Sequence, residues 1–444
     1  MSRLLRLAGA MAMAVFGTGV AGGFFAAAAA AEPAFSAAVE HGGLSSSPLA
    51  IERASAQLVK GSPVRVRWAV DLKDRNAVRF WLPAPEVAVD YFLLLTDKND
   101  LIAIRRRSGM VAWWTRLPGP PTGDVAFTDY SLYLVIRSHL VCLERHSGEV
   151  LSRLMLPFPP SSGPAVFEGH ERLPMIFIPS LDTKVYALEI DKTVWPPKFG
   201  WGAVQQSDFL MEDYILKIAW RWPAHELIAG NIVYHDRFVY LTDAKYHLYG
   251  ILTTELQGGK PKTVRFFRTQ GPMAVGPIIS GPYIFVASRD RSLYCLSRMD
   301  FAEVWRYPTG EILDKPPAIM DDLYAARTVV MQKCGNNGPL TGLLDTGEVR
   351  PDGIAAHLPK VLWELPDAEY PVARFIEPEN EADKRTIVVV RNNDKTLSAH
   401  YLSNGQQLWR IPASSYFPVC HNTQEEFIYT ATTGHVICAL QKGE

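Results

Sequence analysis

The chain has 444 residues, with 45 Lys plus Arg against 46 Asp plus Glu and a formal net charge of −1. Charges this balanced and this interspersed leave no basic face for nucleic acid. A 48% hydrophobic share, with 11 Trp and 17 Tyr, supplies a packed core, and 32 Gly and 32 Pro spread along the chain favour an all-β fold with many turns.

In chain order, the first stretch reads as an export address. Arg3 and Arg6 precede an apolar run from Leu7 to Ala31, and Ala29-Ala30-Ala31 ahead of Glu32 offers small residues for cleavage. Residues 1–31 are therefore expected to be a Sec-type signal peptide, giving a periplasmic or secreted protein. An uncleaved membrane anchor is the alternative, because the run is long enough to span a bilayer. No cysteine follows the run, so the chain is not expected to be a lipoprotein. Residues 32–53, rich in Ala, Ser and Gly, read as a flexible leader, and 54–444 as one repeat domain. No later segment is apolar enough to suggest a membrane span.

Within 54–444, strand-like alternation recurs around one small residue: Ala103, Cys142, Ala187, Gly250, Cys295, Gly342, Ala399 and Ala439. Successive separations are 39, 45, 63, 45, 47, 57 and 40, a period typical of propeller blades or solenoid repeats. Trp113, Trp305 and Trp409 lie ten residues after a small residue, and Ser152 holds the same place in the second copy. Across longer loops the aromatic is assigned to Trp220, Phe266 and Trp363. A Gly opens the turn before several of these strands, as in Ser108-Gly109-Met110 and His146-Ser147-Gly148. An Asp- and Asn-rich turn precedes the small-residue strand, and a Pro-flanked apolar strand follows the aromatic one. Four antiparallel strands per unit make one propeller blade. The eighth unit lacks an aromatic strand, while Val64-Arg65-Val66-Arg67-Trp68 is a spare one. Joining the two closes the ring and removes exposed sheet edges. The expectation is an eight-bladed β-propeller, with seven blades as the alternative because the unit near Gly342 is degenerate.

Tyr-Ala-Leu, a Gly turn and an aromatic strand together resemble the quinoprotein-like (PQQ-like) propeller repeat, over nearly all of residues 63–444. That family contains quinone-dependent alcohol or sugar dehydrogenases and also cofactor-free interaction platforms, one of them in outer-membrane protein assembly. For the dehydrogenases the resemblance implies Ca²⁺ held by Glu and Asn, a catalytic Asp and often a disulfide between adjacent cysteines. The sequence has no Cys-Cys pair and no stretch matching the ligand or catalytic segments. No cofactor and no catalytic residue are therefore expected, with a PQQ- and Ca²⁺-dependent oxidoreductase kept as the alternative.

Other residues read mostly as structure. The regular Trp68, Trp113, Trp220, Trp305, Trp363 and Trp409 suit blade-to-blade packing. Cys142 and Cys295 fill the small slot and Cys438 adjoins it, while Cys334 and Cys420 could pair in an oxidising compartment. His235-Asp236 and Asp321-Asp322 read as turns at strand ends. The functional-looking feature is an insertion between Ala187 and Trp220. It carries Trp195, Phe199, Trp201, Phe209 and Tyr214, which suit a partner-binding loop. A loop folded back over its own blade is the other reading. The sequence thus points to a monomeric exported scaffold that docks a protein or peptide, without nucleic acid.

Overall fold

A computed structural model describes residues 44, 46–83, 90–167, 174–190, 216–322, 327–349, 357–377, 385–421, 426–433 and 435–443. Eight four-stranded antiparallel blades form a β-propeller. Their first strands are Ala77–Trp81, Ala126–Phe127, Ala165–Phe167, Ile228–His235, Ile278–Ser280, Ala318–Asp322, Ala368–Glu377 and Tyr416–Val419. First strands touch between blades 2 and 3, 3 and 4, 4 and 5, and 6 and 7, as strands nearest a central axis do, and that of blade 8 touches that of blade 1. The degenerate sixth unit is a complete blade, its Leu340–Val349 strand pairing with His357–Leu365. Asp321 lies within the first strand of that blade rather than in a turn, and its carboxylate accepts from the Thr328 hydroxyl.

The ring closes as the sequence expects. Val64–Asp71 is the outer strand of blade 8, paired with Val436–Lys442 so that Trp68 lies opposite Ala439. The same pairing of a small residue with the aromatic slot recurs as Ala103 with Trp113, Ala187 with Trp220 and Cys295 with Trp305. Gly342 with Trp363 and Ala399 with Trp409 continue it, and Cys142 faces Ser152. The reason is packing: a bulky third-strand residue would occupy the space the neighbouring indole needs.

Each indole docks on the next blade. The Nε1–H groups of Trp68, Trp113 and Trp363 donate to the carbonyls of Arg106, Arg145 and Leu402, at 2.8, 2.9 and 2.8 Å. Three residues beyond each carbonyl comes a turn glycine: Gly109, Gly148 or Gly405. At Gly148, φ is +69° and an added Cβ would lie 2.3 Å from the Trp113 ring, so the position needs glycine twice over.

Three expectations are corrected. In blade 4, Gly250 faces Arg265, and Phe266 is one place out of the aromatic slot and 67% exposed. Cys334 and Cys420 do not pair; all five cysteines are buried free thiols. Part of the supposed flexible leader is helix α1 (Pro48–Ser55), capped by the Ser47 hydroxyl, which accepts from the Ala50 N–H. The helix buries Ala50 and Ala54 against blades 7 and 8, and the Ala54 carbonyl accepts from the Tyr416 hydroxyl at 2.9 Å.

Candidate functional site

The expected partner loop, with Trp195, Phe199, Trp201, Phe209 and Tyr214, lies outside the described residues, as do the export address and residues 32–43 and 45 of the leader. His235-Asp236 forms the turn between the first two strands of blade 4, with Asp236 at φ +48°. Two other places near the axis carry chemistry.

The first joins blades 1 to 4. Arg79 and Trp81, on the first strand of blade 1, both donate to Oδ1 of Asp124, at 2.5 and 3.2 Å. The other carboxylate oxygen accepts from the Asn231 amide, whose own oxygen accepts from the Ser162 hydroxyl at 2.6 Å. The Arg79 guanidinium also covers the Trp81 ring, 4.8 Å from its centroid. Backbones meet closely here: a Cβ on Gly163 would lie 2.1 Å from the Asp124 carbonyl oxygen. An axial carboxylate beside an amide is the donor chemistry that Ca²⁺ and a quinone would ask for. Here both carboxylate oxygens are already committed, and the guanidinium on Oδ1 would repel a divalent cation. These residues do not fit a calcium–quinone pair.

The second is a cleft of about 410 Å³ on the side of blades 6 to 8, bordered by Pro316, Pro317, Leu340, Tyr370, Pro371 and His421. It forms where the loop into blade 6 and the first strands of blades 6 and 7 meet the end of the corresponding strand in blade 8. Prolines are tolerated here because Pro316 and Pro317 precede their strand and Pro371 lies beside a bulge in the first strand of blade 7. Tyr370 stacks on His421, with centroids 3.5 Å apart and planes 13° apart. Burial pushes the Tyr370 phenol up to about 12, with the neighbouring Glu369 adding to the shift. Lys315 pairs with Glu369 at 3.5 Å across the opening. Beneath lies Lys333, 5% exposed, whose ammonium donates to the carbonyls of Gly338 and Ala368 at 2.6 and 2.8 Å. Burial and the charge of Lys315 pull its pKa down. The cleft is thus an apolar, proline-framed surface with one aromatic shelf and a charge pair at the rim.

Sequence reasoning missed both places because their residues come from different blades. The signal available was the prolines: Pro316-Pro317 before the first strand of blade 6 and Pro371 within that of blade 7 frame the opening.

Residues 253–417, from the end of blade 4 to the start of blade 8, match the PQQ_2 family, described as outer membrane protein assembly factor BamB. That match covers 165 of the 444 residues, and over it the repeats are similar to PQQ-like propeller repeats. Among solved structures, the propeller is similar to BamB from Moraxella catarrhalis, with 12% identity and a TM-score of 0.52. That match covers 83% of this chain and 98% of the other. It is also similar to Sqt1 from Saccharomyces cerevisiae, at 9% identity and a TM-score of 0.53, covering 85% and 98% of the two chains. At such identities the likeness is one of fold. No curated protein matches the sequence. Among the described residues, no helix is long and apolar enough to cross a membrane.

Proposed function

We propose that this chain is an exported, non-catalytic docking propeller of the cell envelope, of the same working type as outer membrane protein assembly factors. The observation that carries the reading is the division of labour around the axis. Polar groups near the axis in blades 1 to 4 hydrogen-bond one another, while the cleft of blades 6 to 8 offers proline, leucine and a tyrosine–histidine shelf to a visitor. Such a lining suits an extended peptide segment of a partner protein. Apolar side chains would settle on Tyr370 and Leu340, and Lys315 and Glu369 would fix the direction of the backbone. The insertion carrying Trp195 to Tyr214 would add a second contact if it faces the partner.

A photo-reactive benzoylphenylalanine placed at Tyr370 or His421, with Met155 as a solvent-exposed control, tests this in the native envelope. The reading expects discrete protein adducts from 370 and 421 and none from 155. Equal labelling at all three positions, or none at the cleft, contradicts it.

A further inference from the structure

Blades 3, 4 and 5 share a fastener between the second and third strands. The carboxylate of an Asp at that turn accepts from a tyrosine on the third strand: Asp182 from Tyr186 at 2.7 Å, Asp243 from Tyr249 at 3.0 Å and Asp290 from Tyr294 at 2.5 Å. In blades 4 and 5 the loop arriving from the preceding blade also points an N–H at the tyrosine hydroxyl. The donors are His225 at 3.3 Å and Gln270 at 3.4 Å, each 24 residues before its tyrosine. Blade 5 has Gln270 and Ser292 at the two corresponding positions, and its Asp290–Tyr294 bond forms without an imidazole.

Blade 4 adds two. His247 stands two residues before Tyr249, where blade 5 has Ser292 and blade 3 has Lys184. Its Nδ1 lies 2.8 Å from Oδ2 of Asp243, and His225 Nδ1 lies 2.6 Å from the Tyr249 hydroxyl. The two rings stack with centroids 4.6 Å apart. Ligating atoms of His225, Asp243 and His247 all lie within 4.8 Å of one another. Asp243 is buried and held in place by the Lys245 and His247 backbone N–H groups, which donate to Oδ1 at 3.0 and 2.9 Å. His225 is exposed, so the cluster is open to solvent on one side.

We propose that His225, Asp243 and His247 form a binding site for one divalent transition-metal cation, Zn²⁺ being the best match. Two imidazoles and a carboxylate are the donor set that Zn²⁺ takes, and two ligands in a tetrahedral site with bonds of ~2.0 Å stand ~3.3 Å apart. The His247–Asp243 spacing is therefore near that of a loaded site, with a shared hydrogen in place of the metal. Loading opens that contact by about half an ångström and draws His225 inward. Tyr249 remains hydrogen-bonded to Asp243 as an outer partner. The bound cation ties the loop between blades 3 and 4 to the turn of blade 4.

The test uses the untagged full chain and Co²⁺ as a spectroscopic probe, with Zn²⁺ as competitor. One equivalent of Co²⁺ should give the intense visible absorption of a four-coordinate ion, abolished by Zn²⁺. His225→Gln, at an exposed position, and His247→Gln should each weaken binding more than about tenfold. Asp290→Asn, in the blade 5 fastener, should leave it unchanged. Zn²⁺ should raise the melting temperature of the wild type and not of His225→Gln. Only weak, octahedral Co²⁺ absorption, or binding that survives His225→Gln at full strength, overturns the proposal.

Discussion

Phe301 and Arg265 divide between them what one tryptophan does elsewhere in the ring. Phe301 stands four residues before Trp305, where blades 1, 2 and 7 carry Gly109, Gly148 and Gly405, and it holds φ at +62°. Its ring fills the space over Gly250, where an added Cβ would come within 2.5 Å of Cζ. Arg265 sits opposite Gly250 and donates to the Arg298 carbonyl at 3.1 Å, matching the indole bonds to Arg106, Arg145 and Leu402. Bulk and hydrogen bond thus arrive from opposite sides of one blade boundary. Phe301→Ala should cost about 3–5 kcal/mol in chemical unfolding, as for other buried aromatics. The double variant Arg265→Trp with Phe301→Gly should recover much of that loss by restoring the regular pattern. Equal losses in the single and double variants would show that the two positions are not coupled. This exchange was invisible to a spacing rule that looked for an aromatic after the small residue. The legible clue was an aromatic in the glycine position.

At the scale of the element, the turns between third and fourth strands in blades 1, 2 and 7 carry the preceding blade's indole. Gly148→Ala adds a methyl against Trp113 and forces a positive φ on alanine. An expected loss of about 2–3 kcal/mol follows from overpacking and strain, read as a shift in urea midpoint. In blade 7 the same turn involves a buried histidine. His400 lies 3.0 Å from the Gly405 carbonyl through Nδ1 and 2.8 Å from the Ser398 hydroxyl through Nε2. Burial pulls its pKa below the ordinary 6.5, against the Gly405 carbonyl, which raises it. Between the lowered folded value and 6.5 the unfolded chain binds more protons, so this contribution is whole above pH 6.5 and declines as pH falls through that window. Unfolding midpoints from pH 7.5 to 5 should fall less steeply for His400→Gln than for the wild type; parallel curves would remove His400 as a source. Where these turns are replaced, the docking also changes. Among the described residues, the buried indole nitrogens of Trp220 and Trp305 have no hydrogen-bond partner. They face blades 4 and 6, one with a hairpin insert (Leu256–Gln257 with Lys260–Pro261) and the other with a turn outside the described residues.

For the whole molecule, periodicity made the ring legible because six of the eight blades repeat the same small-residue-to-indole pairing. Trp68 carried closure: its ring stacks on Phe92 of blade 1 at 6.2 Å, while its strand completes blade 8. Trp68→Ala should cost about 3–5 kcal/mol and loosen the joint between blades 8 and 1 first. Hydrogen exchange should show that order; uniform loss of protection around the ring would not fit. Helix α1 was not foreseen, although Ser47 before Pro48 is a helix-start signal, because the Ala- and Ser-rich stretch before it masked the change in character. The sites were less legible than the fold, since cleft, axial hub and histidine cluster each join residues far apart in sequence.

Quinone chemistry is the alternative to the docking proposed for this ring, and the Asp124–Arg79–Asn231 hub is where the two readings meet. The direct measurement is titration of the purified chain with PQQ and Ca²⁺, followed by absorbance and by dye-linked alcohol oxidation. The account predicts no saturable spectral change and no turnover. Saturable reconstitution with turnover would contradict it.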